Sequence, residues 1–157
     1  MAEQARIRYG VASREAIAGL TGRQVLEAII EGRLPAPPMA ATLAFRLVEV
    51  GEGTAVFAAE TSEALLNPMG AVHGGWALTL IDSAAGCAAM TLLPADGGYT
   101  TVETKVNFCR PILADTGTVR AEARVLAQGR RILSAEARVA DARGRLLAHG
   151  TSTLMVL

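Results

Sequence analysis

The stretch Asn67-Pro68-Met69-Gly70-Ala71-Val72-His73-Gly74-Gly75-Trp76, continuing through Asp82 to Met90, decides how this chain is read. It opens as a turn, passes a histidine and two glycines, and becomes a long apolar segment. Between Trp76 and Met90 the single charge is Asp82. An ionised side chain on an apolar helix is costly unless it is paired, hydrated or put to use. Asp82 is therefore the first candidate for chemistry. The segment predicts a helix over about residues 75–92, closed by Pro94 and Asp96-Gly97-Gly98. It is apolar nearly all round, which fits burial on several sides.

The last sixty residues alternate. Val102, Thr104, Val106 and Phe108 share one parity, against Glu103, Lys105 and Asn107. Val119, Ala121, Ala123 and Val125 repeat the pattern, as do Leu133, Ala135, Ala137 and Val139. A period of two predicts antiparallel strands with one packed face and one polar face. Gln128-Gly129-Arg130 and Asp141-Ala142-Arg143-Gly144 read as hairpin connections, and a final strand covers about 145–156. Before the helix, the pattern from Ala41 and the segment 54–60 read as two strands around Gly51-Glu52-Gly53.

Residues 13–33 predict a helix, firm over about 21–31 with Thr21 as its cap, and ended by Gly32 and Pro35-Ala36-Pro37-Pro38. The chain thus divides into an N-terminal helical arm and linker, 1–38, and a domain, 39–157. Runs of strands around one helix define an α+β class. The expected architecture is a curved antiparallel sheet of about six strands wrapped on one long central helix, with an extra N-terminal helix. One helix cannot cover such a sheet and also hide its own surface. A partner subunit is expected, through sheet edges or helix contact.

With 157 residues, 51 % of them hydrophobic and only 4 % aromatic, the chain makes one domain with an aliphatic core. Fifteen basic and fifteen acidic residues cancel, which leaves no electrostatic footprint for nucleic acid or an anionic membrane. Fourteen of the bases are arginine, a bias of composition or a means of meeting phosphate. Cys87 and Cys109 read as buried free thiols, the second in a strand. With only His73 and His149, no Cys/His cluster has metal-ligand spacing. The N-terminus lacks a signal-peptide pattern, and no apolar stretch reaches about 18 residues. The cytoplasm is the expected location.

Asn67, then His73-Gly74-Gly75, then Asp82 eight residues after Gly74, resembles the hotdog-fold acyl-CoA thioesterases. Within it, the chain looks most like the phenylacetate-degradation (PaaI-like) type of the 4-hydroxybenzoyl-CoA thioesterase superfamily. Further along, Tyr99-Thr100-Thr101-Val102-Glu103, Asn107-Phe108-Cys109-Arg110-Pro111 and Leu126-Ala127-Gln128-Gly129-Arg130 support it, over roughly residues 40–157. The resemblance implies hydrolysis of an acyl- or aryl-CoA thioester, with coenzyme A entering as part of the substrate and no cofactor required. It implies a homodimer with sites at the subunit interface, often a dimer of dimers.

Each residue also has a plainer alternative. The resemblance assigns Gly74 the backbone N–H that meets the thioester oxygen, and a helix start leaves such donors free. The glycines would otherwise only make a tight turn. Asp82 would act as general base or nucleophile; alternatively Ser83 or an arginine satisfies it. Asn67 would hold the water or thioester, or merely start a turn before Pro68. His73 would orient the loop. Thr101 corresponds to a family hydroxyl near the thioester, but strand parity favours Thr100 unless a bulge intervenes. Arg110, Arg130 and Arg131 are candidates for the phosphates of CoA, or solvated charges. Leu65, Leu66, Met69 and Trp76 are candidates to line the acyl pocket.

Eight helical residues rise about 12 Å and turn roughly 80° beyond whole revolutions, so one chain does not readily bring Gly74 and Asp82 to one thioester. Two antiparallel helices do. Two rival functions remain. An enoyl-CoA hydratase of the same fold would need Asp-x-Asn-Pro-x-His, yet positions 65 and 70 are Leu and Gly. A non-catalytic acyl-CoA-binding protein would need an output element, and the short arm does not resemble a DNA reader.

Overall fold

The computed structural model describes residues 7–157. Helices α1 (Arg14–Ile17) and α2 (Gly22–Ile30) replace the single N-terminal helix, because Gly19 takes a positive φ between them. Thr21 caps α2 in a reciprocal pair with Gln24: Thr21 Oγ1 accepts from Gln24 N and Gln24 Oε1 accepts from Thr21 N. A short helix α3 (Pro38–Thr42) follows, where the sequence pattern suggests extended chain. Pro38 is its first residue, and proline there is preset for a helix rather than a breaker.

Then come β1 (Phe45–Gly51), β2 (Thr54–Glu60) and α4 (Gly74–Met90). Four strands complete the chain: β3 (Tyr99–Phe108), β4 (Thr118–Gln128), β5 (Ile132–Asp141) and β6 (Leu146–Val156). They form one antiparallel sheet in the order β1-β2-β4-β5-β6-β3. This is the six-stranded sheet and central helix that the sequence implies. β3 lies on one outer edge, paired only with β6, and β1 lies on the other.

α4 lies across the packed face. Ala77, Ala84, Ala85, Ala88 and Ala89 are buried on it, and small side chains let the helix sit close to the strands. Leu80 and Ile81 fill the centre with Val119, Val139, Leu147 and the edge-to-face pair Phe45 and Phe57. Leu133, Ala135 and Leu154 pack on the far end of the helix, against Ala85 and Ala89. Trp76 belongs to this core: it is 4 % exposed, and its Nε1–H donates to Leu43 O. It is not free to line an acyl pocket.

The arm is docked. Gly22 N donates to Leu93 O, and a Cβ at Gly22 would collide with the Met90 carbonyl. Glycine is needed there for the close approach. α2 packs beside β1. The expectation of two buried cysteines holds for neither in full: Cys87 is half-buried, and Cys109 is exposed just beyond the end of β3.

Candidate active site

The loop before α4 is built by Asn67. Its Oδ1 accepts from the backbone N–H groups of Met69 and Ala71, at 2.9 and 3.2 Å. Asn67 N donates to Ala71 O, and Gly70, at positive φ, donates back to Asn67 O. The turn role is thus occupied by the carbonyl half of the side chain. The Nδ2 amide donates to nothing among the described residues and remains a donor.

His73 is the N-cap of α4. Its Nδ1 accepts from Gly75 N at 2.9 Å, and its carbonyl accepts from Trp76 N. A ring nitrogen that accepts carries no proton, so the neutral ring holds its hydrogen on Nε2. His73 N donates to Leu65 O, which pins the cap to the preceding loop. These bonds use the N–H groups of residues 73, 75 and 76. The Gly74 N–H donates to no acceptor among the described residues, and it stands at the positive end of a 17-residue helix. Beside it lies a cleft of about 410 Å³ lined by Ala71, Gly74, Ala77, Phe108, Arg110 and Ile112, among others. A Cβ on Gly74 would stand 2.9 Å from the Phe108 ring. The ring therefore roofs the glycine.

Asp82 lies two turns further along, half-buried. It pairs with no cation among the described residues, and Ser83 does not cap it. Its Oδ1 accepts from Thr101 Oγ1 at 3.0 Å and from Thr104 Oγ1 at 3.1 Å. Oδ2 accepts no hydrogen bond among the described residues. Two residues three apart on a strand normally face opposite ways. Here the β3–β6 register slips between Thr101 and Glu103, so Val102 is an extra, bulged residue, 59 % exposed. The bulge turns Thr101 onto the face of Thr104. Thr100 is exposed and makes no bond to Asp82.

A thiol and a phenol, Cys87 and Tyr99, feel the Asp82 charge. Burial pushes the Cys87 thiol up to about 12, and the Asp82 charge adds to it. Burial likewise raises Tyr99, helped by Cys87 and Asp82. Gly86 leaves room for the Tyr99 hydroxyl. A carboxylate with no ion pair among the described residues, and with one oxygen unbonded among them, suits proton transfer or attack.

The structure brings Asn67, His73 and Gly74 together, and Asp82 with Thr101. It also adds Thr104, which the sequence pattern assigned only to the packed face. Arg110 lines the Gly74 cleft and donates to Leu146 O at 2.7 Å. Arg130 and Arg131 lie in the β4–β5 turn, where Arg131 O accepts from Val156 N, at the opposite end of the sheet from Gly74. Met69 is 90 % exposed, while Leu65 and Leu66 rest on the core.

The geometry has relatives. Residues 69–148 match the family model described as the Thioesterase superfamily. A Saccharolobus solfataricus protein, named as a candidate esterase, is 30 % identical over 112 residues, 71 % of this chain and 78 % of that one. Among solved structures, a thioesterase family protein from Silicibacter pomeroyi is similar at 31 % identity and TM-score 0.73, covering 84 % of this chain and 98 % of that one. A mutant of the phenylacetic acid degradation protein PaaI from Thermus thermophilus is similar at 29 % identity and TM-score 0.69, covering 76 % and 99 %.

Proposed function

This chain belongs to the thioesterase superfamily, and on that premise we propose that it hydrolyses acyl- or aryl-CoA thioesters to the free acid and coenzyme A. The observation that carries the reading is the pairing of an unused Gly74 N–H at the start of α4 with an unpaired carboxylate whose Oδ2 is free among the described residues. The thioester oxygen sits at the Gly74 N–H. Asp82 Oδ2 takes a proton from water as the water oxygen bonds to the carbonyl carbon. Negative charge moves onto the thioester oxygen, where the Gly74 N–H and the helix dipole stabilise it. The C–S bond then breaks with its electron pair on sulfur, and the sulfur takes the proton from Asp82. If Oδ2 attacks directly, the same oxygen forms an anhydride that water opens. No metal or cofactor enters either route.

Gly74 and Asp82 come from different copies in this reading. Along β3, the Gly74 station is Phe108 and the Asp82 station is Thr101 to Thr104. Two β3 edges pairing antiparallel set one station against the other. A two-fold axis near Thr104 also opposes Glu103 to Lys105 of the second copy, and Lys105 to its Glu103. Opposite charges across a strand pair favour that register. The same pairing carries Arg130 and Arg131 of the second copy toward the Gly74 cleft, where they join Arg110 against the phosphates of CoA. A homodimer follows, and two such dimers can associate further. The cytoplasm, where acyl-CoA is formed, is the proposed location.

The test is subunit complementation. Asp82→Asn and Gly74→Pro chains, each with little turnover alone, are refolded together in equal amounts. Half of the random pairs are mixed, and each mixed pair holds one whole site of two, so about a quarter of wild-type turnover returns. Mixed pairs seen by native mass spectrometry with no recovery would overturn the shared site.

A further inference from the structure

Ser152 is a buried hydroxyl that the proposed reaction does not use. It is 1 % exposed and sits on β6 directly opposite Thr104. Its Oγ lies 2.9 Å from Thr104 Oγ1 and 3.1 Å from Glu103 O. Thr104 Oγ1 in turn lies 3.1 Å from Asp82 Oδ1. Each hydroxyl owns one hydrogen. If Ser152 gave its hydrogen to Glu103 O and Thr104 gave its own to Ser152, Thr104 would present a lone pair to an ionised carboxylate. The polarity that satisfies the carboxylate runs the other way. Thr104 donates to Asp82, and because two hydroxyl oxygens 2.9 Å apart need a hydrogen between them, Ser152 donates to Thr104 in preference to the more distant Glu103 O.

We propose that Thr104, oriented by Ser152, is a positioning residue that fixes Asp82 Oδ1 and so aims Oδ2 at the reacting centre. The inference rests on the thioesterase reading of Asp82 and deepens it. Thr101 supplies the second donor to the same oxygen. Both hydroxyls on one oxygen leave the other oxygen the only one free to take a proton or attack. The Val102 bulge is what allows it, since a regular strand would turn one of the two threonines outward. The Ser152 contact removes the freedom of the Thr104 hydroxyl to rotate away.

The experiment is a kinetic cycle on the whole oligomeric enzyme with Thr104→Val, Thr104→Ser, Ser152→Ala, the Thr104→Val/Ser152→Ala double variant and Asp82→Asn. Valine keeps the branched shape of threonine and suits a strand, so the fold persists. Thr104→Val should lower kcat by about 10–100-fold, the loss of one hydrogen bond to a charged group. KM should stay within about twofold, because Thr104 reaches the substrate only through Asp82. Thr104→Ser should restore most of kcat, and Ser152→Ala should cost less than Thr104→Val. The double variant should be no slower than Thr104→Val alone, since Ser152 acts through Thr104. Full kcat in Thr104→Val, failure of serine to rescue, or multiplied losses in the double variant overturn the proposal while Asp82→Asn stays inactive. An active Asp82→Asn overturns the underlying reading itself.

Discussion

Replacing Gly74 by proline removes a single hydrogen from the proposed oxyanion site. Gly74 is the first residue of α4, the one helical position that proline favours. The preceding His73 has φ −60° and ψ 131°, the extended conformation that a residue before proline adopts. The Gly74 N–H bonds to nothing among the described residues, so the substitution breaks no bond within them. The steric cost is the new Cβ, 2.9 Å from Phe108 Cζ and 3.1 Å from its Cε1. That ring must turn aside to admit it in either variant. Gly74→Ala carries the same Cβ and keeps the N–H, so the ratio of the two variants isolates the donor. Loss of one oxyanion donor is worth about 10²–10³ in kcat, or about 2.7–4 kcal/mol. Both variants should keep the helical circular dichroism of the wild type, and turnover is followed by release of free CoA thiol. A proline variant within about threefold of the alanine variant would refute the assignment of the Gly74 N–H.

Three further outcomes follow from the same structure. Cys109 is exposed, whereas burial pushes the Cys87 thiol up to about 12 although Cys87 keeps some accessible surface. A disulfide reagent at pH 8 should therefore meet one fast thiol per folded chain, since only the thiolate reacts; two fast thiols would contradict it. Backbone N–H donation from Arg145 lowers the Asp141 carboxyl most; burial pushes it up, and the Arg145 side chain and the N–H of Arg143 bring it down again, so it stands below its usual range. A lowered carboxyl contributes stability above its unfolded value near 4, and that stability is lost as pH falls through the folded value. Asp141→Asn should accordingly lower the urea midpoint at pH 7 and by less at pH 3, and an equal loss at both would show that the charge is not responsible. Lys105→Glu should weaken self-association by placing like charges across the strand pair, and Glu103→Lys in the same chain should restore it; sedimentation velocity decides, and an unchanged association in the single variant refutes the register.

Much of this was legible because local pattern dictates local structure. The apolar run after Gly74 is too long and too unbroken for a strand, and α4 is there. The alternation of 119–125 and 133–139 fixes which side chains meet the helix, and those residues are buried except Val125, which is half-buried against the core. What was not legible depends on neighbours distant in sequence. Nothing in periodicity tells β3 to pair with β6 at an outer edge, because that choice is set by how six strands share one helix. The Val102 bulge is likewise a matter of register against β6, so parity alone turned Thr101 outward. α3 leaves no such mark, because Pro37-Pro38 reads as a stop, whereas Pro38 starts a turn of helix. Trp76 looked available as a pocket wall until the core claimed it. Thr104 carried no signal beyond its parity, and only the approach of α4 reveals that its hydroxyl has a carboxylate to meet.

The two margins of the sheet are unequal. β1 has the docked arm alongside it, while β3 has nothing beyond it among the described residues. A ribbon with both margins bare can add copies without end, and that is how fibres grow. In the proposed dimer, joining the bare β3 margin to its own image about a two-fold consumes it in both molecules at once. Growth of that dimer then halts at a finite particle, because no bare β3 margin is left to pair.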